Sequence, residues 1–255
     1  MPLTLTPLPG IPLIKSGDNL PNIIWNSLLN NQIKLFENDI LVITQKIVSK
    51  AEGQLINLKD IRASQRAIEI SNISNKDPRL IELILRESKN VLRITASHLI
   101  VEHRLGFICA NAGIDHSNVN SDQGNQEECY LLLPKNPDLS AKIIKQKLEE
   151  KTLIKIGILI IDSHGRAWRN GIIGTAIGVA GLPALVDLRG KEDLFGFKLR
   201  ITQVAAADEL ASAASLIMGQ ADEKLPVVHV RGFPYPLRES SIKELIRPKE
   251  KDLFR

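Results

Sequence analysis

Apolar residues along this chain switch between strand-like runs and helical spacing, and the switches mark out its elements. Residues 3–8 read as a strand ended by Pro9-Gly10. Residues 19–29 set Leu20, Ile23, Ile24 and Leu28 on one helical face, and 39–44 (DILVIT) form a buried strand leading into a polar turn and Lys50. Two helices follow over 64–73 and 77–88. The second opens on Asp77-Pro78, a capping side chain followed by a residue suited to the first helical turn. Runs at 91–95, 98–103 and 106–109 are joined by links too short for crossovers, so they read as antiparallel strands. Residues 110–126 are rich in Asn, Asp, Gly and Ser and read as a loop.

A strand over 131–133, a helix over 138–151 and an apolar strand over 156–161 come next. That last strand delivers Asp162 to its carboxyl end, and 162–171 reads as polar and turn-forming. IIGTAIGVAGLPALV, residues 172–186, is small and apolar, which suits close backbone packing or the approach of a phosphate. An Ala-rich helix over 202–218 and a strand over 227–230 follow. The tail, 233–255, is highly charged and has room for one amphipathic helix. Strands and helices interleave irregularly, so the fold class expected is α+β.

Composition narrows the function classes. With 255 residues the chain can bury a substantial core. It carries 33 basic against 29 acidic side chains, a net +4. That is a mixed solvated surface with room for a basic patch that receives nucleotides or phosphodiesters. Aromatics are 4% and interleave with no basic run, which argues against a nucleic-acid surface. Cys109 and Cys129 stand outside any CxxC pattern, which excludes a disulfide framework or thiolate zinc site and suits a reducing compartment. The first residues, MPLTLTPLPGIPLI, lack the positive segment of a secretory signal. Residues 172–186 fall short of the roughly 20 apolar residues that span a bilayer. A cytoplasmic location is expected, with no membrane or nucleic-acid partner.

Neither GxxxxGK[ST] nor a strand-borne GxGxxG occurs, so any nucleotide must be held by loops that follow apolar strands. Four segments have the chemistry. GFICANAGIDHSNV (106–119) feeds Asn111, Gly113, Asp115 and Asn118 into one loop. Oxygen donors at this spacing suit Mg2+ or Mn2+, or else close local Asx turns. ILIIDSHGRAWRNG (158–171) ends a buried strand at Asp162 and continues through Ser163, His164, Arg166 and Arg169. An Asp there can hold a metal and the arginines can neutralise phosphate; the alternative is a turn with a surface ion pair. GIPLIKSGD (10–18) carries Lys15, and ITQKIVSKAEG (43–53) carries Lys46, Ser49 and Lys50. Each lysine is a phosphate ligand or simply solvated. His98, Glu102 and His103 lack HExxH spacing, and strand alternation sets the two histidines on opposite faces.

These segments, in this order and spacing, resemble the coenzyme F420-0:γ-glutamyl ligase family. VDLRGKEDLFGFKL, ADELASAASLIMGQ and VVHVRG extend the resemblance over roughly residues 7–232. It implies a catalytic domain over 1–232 with 233–255 as a tail, an uncommon α+β fold and an intertwined homodimer. It further implies a ligase that uses GTP, two divalent ions (Mg2+ or Mn2+) and K+ to add L-glutamate to coenzyme F420-0. By resemblance the nucleotide contacts are Ile11, Pro12, Leu13, Ile14, Gln45, Lys46, Lys50, Asn118, Met218, Gly219 and Gln220. The metal ligands are Asp115, Asp162 and Ser163, and Gln220 stands where some relatives have an acidic residue. Lys50 and Arg166 are the catalytic candidates, as stabilisers of the transferred phosphate. A metal-dependent phosphohydrolase and a basic RNA-binding protein are the rival classes.

Overall fold

The computed structural model describes residues 2–119 and 128–252. Residues 120–127 of the expected loop and 253–255 of the tail lie outside the described residues.

In chain order the elements are β1 (Thr4–Pro7), α1 (Leu20–Asn30), β2 (Ile40–Thr44), α2 (Gln45–Ala51) and β3 (Leu55–Asn57). Then come α3 (Gln65–Ser74), α4 (Pro78–Arg86), β4 (Ser88–Ile94), β5 (Leu99–His103), β6 (Ile108–Ala110) and β7 (Cys129–Leu131). The rest are α5 (Pro137–Thr152), β8 (Gly157–Arg166), β9 (Arg169–Ala180), β10 (Val186–Asp187), β11 (Gln203–Val204), α6 (Ala206–Met218) and β12 (Val227–Arg231). The fold is mixed α+β with several sheets.

The main sheet has five strands in the order β1-β12-β2-β8-β9. Its pairings are antiparallel except β2 with β8, which run parallel. Alternation along β2 splits the core between two faces. Leu41 and Ile43 join Ile158, Ile160 and residues of α1 and α5 on one side. Ile40 and Val42 join Leu159, Ile161 and the buried alanines of α6 on the other. Such a sheet is apolar on both faces, which is why ILVI and ILII read as continuous runs. A second body packs α3 and α4 on the antiparallel sheet β4-β5-β6 around Ile70, Ile81, Ile84, Leu99 and Val101.

Capping residues set the helix starts. Asn19, Ser64, Asp77 and Asn136 each accept a bond from a first-turn N–H of α1, α3, α4 and α5. β9 is built for close approach. A Cβ on Gly174 would lie 2.4 Å from the Ala211 carbonyl of α6, and one on Gly178 would lie 2.6 Å from the Pro137 carbonyl of α5. A bulge between their registers turns the two glycines to opposite faces, so one strand admits a helix on each side.

Several expectations need correction. Residues 162–171 are not a turn: β8 continues to Arg166 and pairs Asp162 with Thr175, Ser163 with Gly174 and His164 with Ile173. The residues are polar because the hairpin runs past the sheet, not because the strand has ended. The polar segment after Thr44 is the helix α2, and the Ala-rich helix starts at Ala206 rather than 202. Strand 131–133 is Cys129–Leu131 and pairs with β3, which the pattern missed. The described tail has short 3-10 turns at Ile242–Glu244 and Lys249–Lys251 in place of an amphipathic helix. It is not a free charged end, since Ile242, Phe233, Leu237 and Leu245 pack against the α6 side of the core.

Sequence reasoning also missed a clamp at the start of β2. Asp39 is 1% exposed. Its carboxylate accepts from Arg231 Nε at 2.9 Å, Arg231 Nη2 at 2.7 Å and the Phe36 N–H at 2.8 Å, and pairs with His229 Nε2 at 2.8 Å. The Arg231 guanidinium also lies over the Phe36 ring, 4.3 Å from its centroid.

Candidate functional site

Thr44 is the last residue of β2 paired with β8, opposite Ile161. β8 outruns its neighbour, so Asp162 and Ser163 project beyond the parallel pair beside β9 alone. Although they point to opposite faces of β8, both border one opening. This is the position beyond a strand's carboxyl end where ligands gather in open sheets.

A cleft of about 970 Å³ fills that opening. Its walls are Ile11, Pro12, Leu13 and Ile14 from the loop after β1; Thr44, Lys46, Ile47 and Lys50; His116, Asn118 and Val119; Ile161, Asp162 and Ser163; and Ser215 with 218–226 after α6. Twelve of the residues expected from resemblance therefore share one wall. These are Ile11, Pro12, Leu13, Ile14, Lys46, Lys50, Asn118, Asp162, Ser163, Met218, Gly219 and Gln220.

Helical spacing in α2 explains its polar pattern. Lys46 and Lys50, four apart, both face the cleft, while Gln45 and Ser49, also four apart, are buried and joined by a 2.8 Å bond from Ser49 Oγ to Gln45 Oε1. Gln45 is thus not in the cleft wall but supports it, donating from Nε2 to Asp115 Oδ2 at 2.6 Å. Lys46 Nζ pairs with the same oxygen at 2.8 Å and donates to the Ser117 carbonyl at 3.2 Å. Lys50 Nζ donates to the Asn118 carbonyl at 2.7 Å. Burial, and then the charge of Lys46, push the Lys50 amine below its ordinary value.

Asp115 is held at backbone level by mutual bonds with Leu131, 2.9 and 2.8 Å. Burial first and the neighbouring Asp162 charge second push its carboxyl above the ordinary value, against the pull of Lys46. Asn111 does a structural job of a different kind from a local Asx turn: its Oδ1 accepts from the Leu99 N–H of β5, twelve residues away, at 3.1 Å. Gly113 sits against Leu133.

His164 is a site residue whose role the sequence did not assign. Its Nε2 pairs with Asp162 Oδ2 at 2.9 Å, and its ring lies 5.4 Å from that of Phe107. Phe107 stacks in turn on buried His103 at 5.2 Å. His98 is exposed, so the two histidines of the HLIVEH run do differ in burial. The loop after α6 lines the cleft through residue 226, and the resemblance implies a nucleotide and metal region over its residues 218–225. Arg166 is not in the cleft wall: it lies near the tip of the β8-β9 hairpin, with Nη1 buried and unpartnered. Lys15 is not among the residues that line the cleft either.

Among the described residues, no cluster of three or more His, Cys, Asp or Glu side chains gathers as a metal site. Ser163 Oγ and the Gln220 amide oxygen are bonded at 2.9 Å, Asp162 lines the same cleft, and Asp115, which is not among the lining residues, is near enough for the Asp162 charge to act on it. An all-oxygen set with two mutually repelling carboxylates fits a hard divalent cation. Cys109 is close enough for the Asp162 charge to help burial push its thiol up to about 12, so it offers no thiolate.

Known proteins similar to this chain point to one family. Residues 10–232 match the family described as F420-0:gamma-glutamyl ligase. The chain is 44% identical over 257 residues to the coenzyme F420:L-glutamate ligase of Methanothermobacter thermautotrophicus, covering 100% of both. It is 42% identical to the ligase of that name from Methanocaldococcus jannaschii, covering 96% of this chain and 94% of the relative. For that from Archaeoglobus fulgidus the identity is 36%, over 100% and 97%. This chain belongs to the F420-0:gamma-glutamyl ligase family.

Proposed function

We propose that this protein is a GTP-dependent amide ligase that adds L-glutamate to coenzyme F420-0 and then a γ-linked glutamate to the product, F420-1. The observation that supports it is the convergence, in one cleft, of the 11–14 loop, two lysines, Asn118 and the Asp162–Ser163 strand end.

A carboxylate resists an amine because its oxygen is a poor leaving group. In the proposed route a carboxylate oxygen of the acceptor attacks the γ-phosphorus of GTP, the bond to the β–γ bridging oxygen breaks, and GDP departs. The glutamate amine then attacks the acyl carbon of this acyl phosphate. The carbon–oxygen bond breaks, phosphate leaves with the electron pair, and the amine loses a proton. Lys46 and Lys50 would offset charge on the phosphoryl oxygens, with Lys50 as the main stabiliser. Backbone groups of 11–14, with Asn118 and 218–220, would position the nucleotide. Mg2+ or Mn2+, two ions in this reading, held by Asp115, Asp162 and Ser163, would supply further neutralisation of the phosphates. The potassium ion rests on family resemblance. Arg166, away from the cleft wall, is kept for anionic groups of the acceptor.

A homodimer forms part of the proposal. It is supported by an excursion between β10 and β11 that leaves Leu194, Phe195 and Ile201 exposed by 97%, 94% and 87%. A cytoplasmic location is proposed too; among the described residues no helix is long and apolar enough to cross a membrane. The test is incubation with GTP, Mg2+ or Mn2+, L-glutamate and F420-0, with products read by mass spectrometry. Glutamyl gain with GDP release is the expected result. GTP cleavage without glutamyl transfer would favour the phosphohydrolase. Binding that ignores GTP and falls steeply with salt would favour the RNA-binding rival.

A further inference from the structure

The link between β5 and β6 closes on itself. The His103 N–H donates to the Phe107 carbonyl at 2.9 Å, and the Gly106 N–H donates to the His103 carbonyl at 2.8 Å. Gly106 permits the turn at a φ of +104°, a conformation that residues with a Cβ disfavour. The Phe107 ring is thereby laid on that of His103, with centroids 5.2 Å apart and planes 6° from parallel. His103 is fully buried, and its Nδ1 accepts from the Leu105 N–H at 3.0 Å. Phe107 thus rests on a ring that is itself held in place.

The two bodies of the fold meet at this side chain. Phe107 packs against the core of the second body and against the core that joins the main sheet to α1 and α5. Beyond it lies His164 of β8, whose ring centroid is 5.4 Å away. His164 Nε2 then meets Asp162 Oδ2 at 2.9 Å, with the two side chains only 12% and 9% exposed. An ionised carboxylate only accepts, so this bond needs the imidazole proton on Nε2. The torsion that spins an imidazole about its own axis has broad wells. A flat neighbour packed against the ring narrows the range it samples.

We propose that Phe107 is a positioning residue of the site: its ring, seated on His103, holds the His164 imidazole where Nε2 engages Asp162 Oδ2, which leaves Oδ1 to meet the ligand in the cleft. That this ligand is a divalent cation rests on the metal reading above; the column of rings does not. Phe107 has no polar group and is not among the residues that line the cleft, so it acts only through His164.

The test compares wild type with His164→Phe, which keeps a ring but loses the bond, and with Phe107→Leu and Phe107→Met, which keep an apolar side chain but lose the flat ring. Ile81→Val trims the same second-body core from α4 and serves as the control for general loosening. Two quantities are read at one neutral pH: Mn2+ affinity by electron paramagnetic resonance, and the position of the His164 proton by nitrogen NMR of the imidazole. Partners of a metal ligand are worth about 10–100-fold in metal affinity, and His164→Phe should lose that much. The Phe107 variants act one ring further out and should lose about three- to tenfold, with Ile81→Val close to wild type. The His164 proton should sit on Nε2 in wild type and Ile81→Val, and be shared between both nitrogens in the Phe107 variants. Mn2+ affinity unchanged or raised in His164→Phe or in the Phe107 variants, or lowered equally in Ile81→Val, would overturn the proposal. If no protein bound Mn2+, the metal reading would fall and the proton would decide: sharing in the Phe107 variants upholds the positioning role. A proton still fixed on Nε2 in those variants overturns it in either case.

Discussion

Asp39 fixes the end of β2 opposite the cleft, and its charge should be measurable as stability. Burial pushes its carboxyl up, but the bonds from Arg231, His229 and the Phe36 N–H outweigh that and bring it from 3.8 to about 2. The drop corresponds to about 2.5 kcal/mol in favour of the folded state at neutral pH. Because the folded value is the lower one, this stabilisation is complete above the unfolded value near 4 and disappears as pH falls through about 2. At pH 3 about 1.3 kcal/mol should remain. Asp39→Asn keeps the shape and one acceptor oxygen but removes the charge and leaves the Arg231 guanidinium without its counterion. A loss of about 2–4 kcal/mol at pH 7 is expected, within reach of values for broken buried pairs. Urea unfolding followed by circular dichroism would read this as a midpoint about 1 M lower, for a slope of roughly 2–3 kcal/mol/M. The gap between variant and wild type should shrink to about half at pH 3. Equal midpoints at pH 7, or a gap that does not narrow on acidification, would refute the reasoning.

Asp115→Asn should unfold within a few degrees of wild type, because its backbone bonds to Leu131 persist, yet lose turnover and Mn2+ binding by electron paramagnetic resonance; near-wild-type turnover would sink the metal assignment. Lys46→Met should move two affinities in opposite directions, weakening GTP by roughly tenfold or more while tightening Mn2+ alone, since no ammonium then competes for Asp115; parallel shifts in titration would contradict the exchange. Gly174→Ala places a methyl group against the Ala211 carbonyl and should cost about 1–3 kcal/mol in thermal unfolding. An unchanged melting temperature would show that α6 yields without strain.

Much of the fold was legible because strand and helix periods survive wherever one face is buried. β2, α4 and the order of the main helices follow from apolar spacing and from the capping residue Asp77. The pattern failed where burial no longer decides. The β8-β9 hairpin beyond Ile161 has no sheet neighbour other than itself, so its polar residues mimic a turn. α2 is seven residues long, too short to display a period. The Asp39 clamp joins partners 190 and 192 residues away, and no local pattern announces such a contact. In the site, ordered motifs supplied the residues but not their geometry. Gln45 turned out to support Asp115 from behind, Arg166 to lie off the wall, and His164 to hold Asp162.

The free cleft balances its charges internally, and this links the metal and phosphate readings. Burial and the Asp162 charge push the Asp115 carboxyl up, and Lys46 pulls against both from 2.8 Å. Lys46 and Lys50 crowd each other, and both are tied to carbonyls of residues 117 and 118. The Ala221 N–H donates to the Glu223 carboxylate in the same wall. Lys46 thus stands where a cation would meet Asp115, and carbonyl oxygens stand where phosphate oxygens would meet the two lysines. A cation on the carboxylates would release Lys46 toward phosphate. The binding steps are then exchanges among partners already present, so the site need not be held open by unpaired buried charge. That economy accounts for how Lys46 and Lys50 share a wall with Asp162, with Asp115 paired to Lys46, in a stable fold.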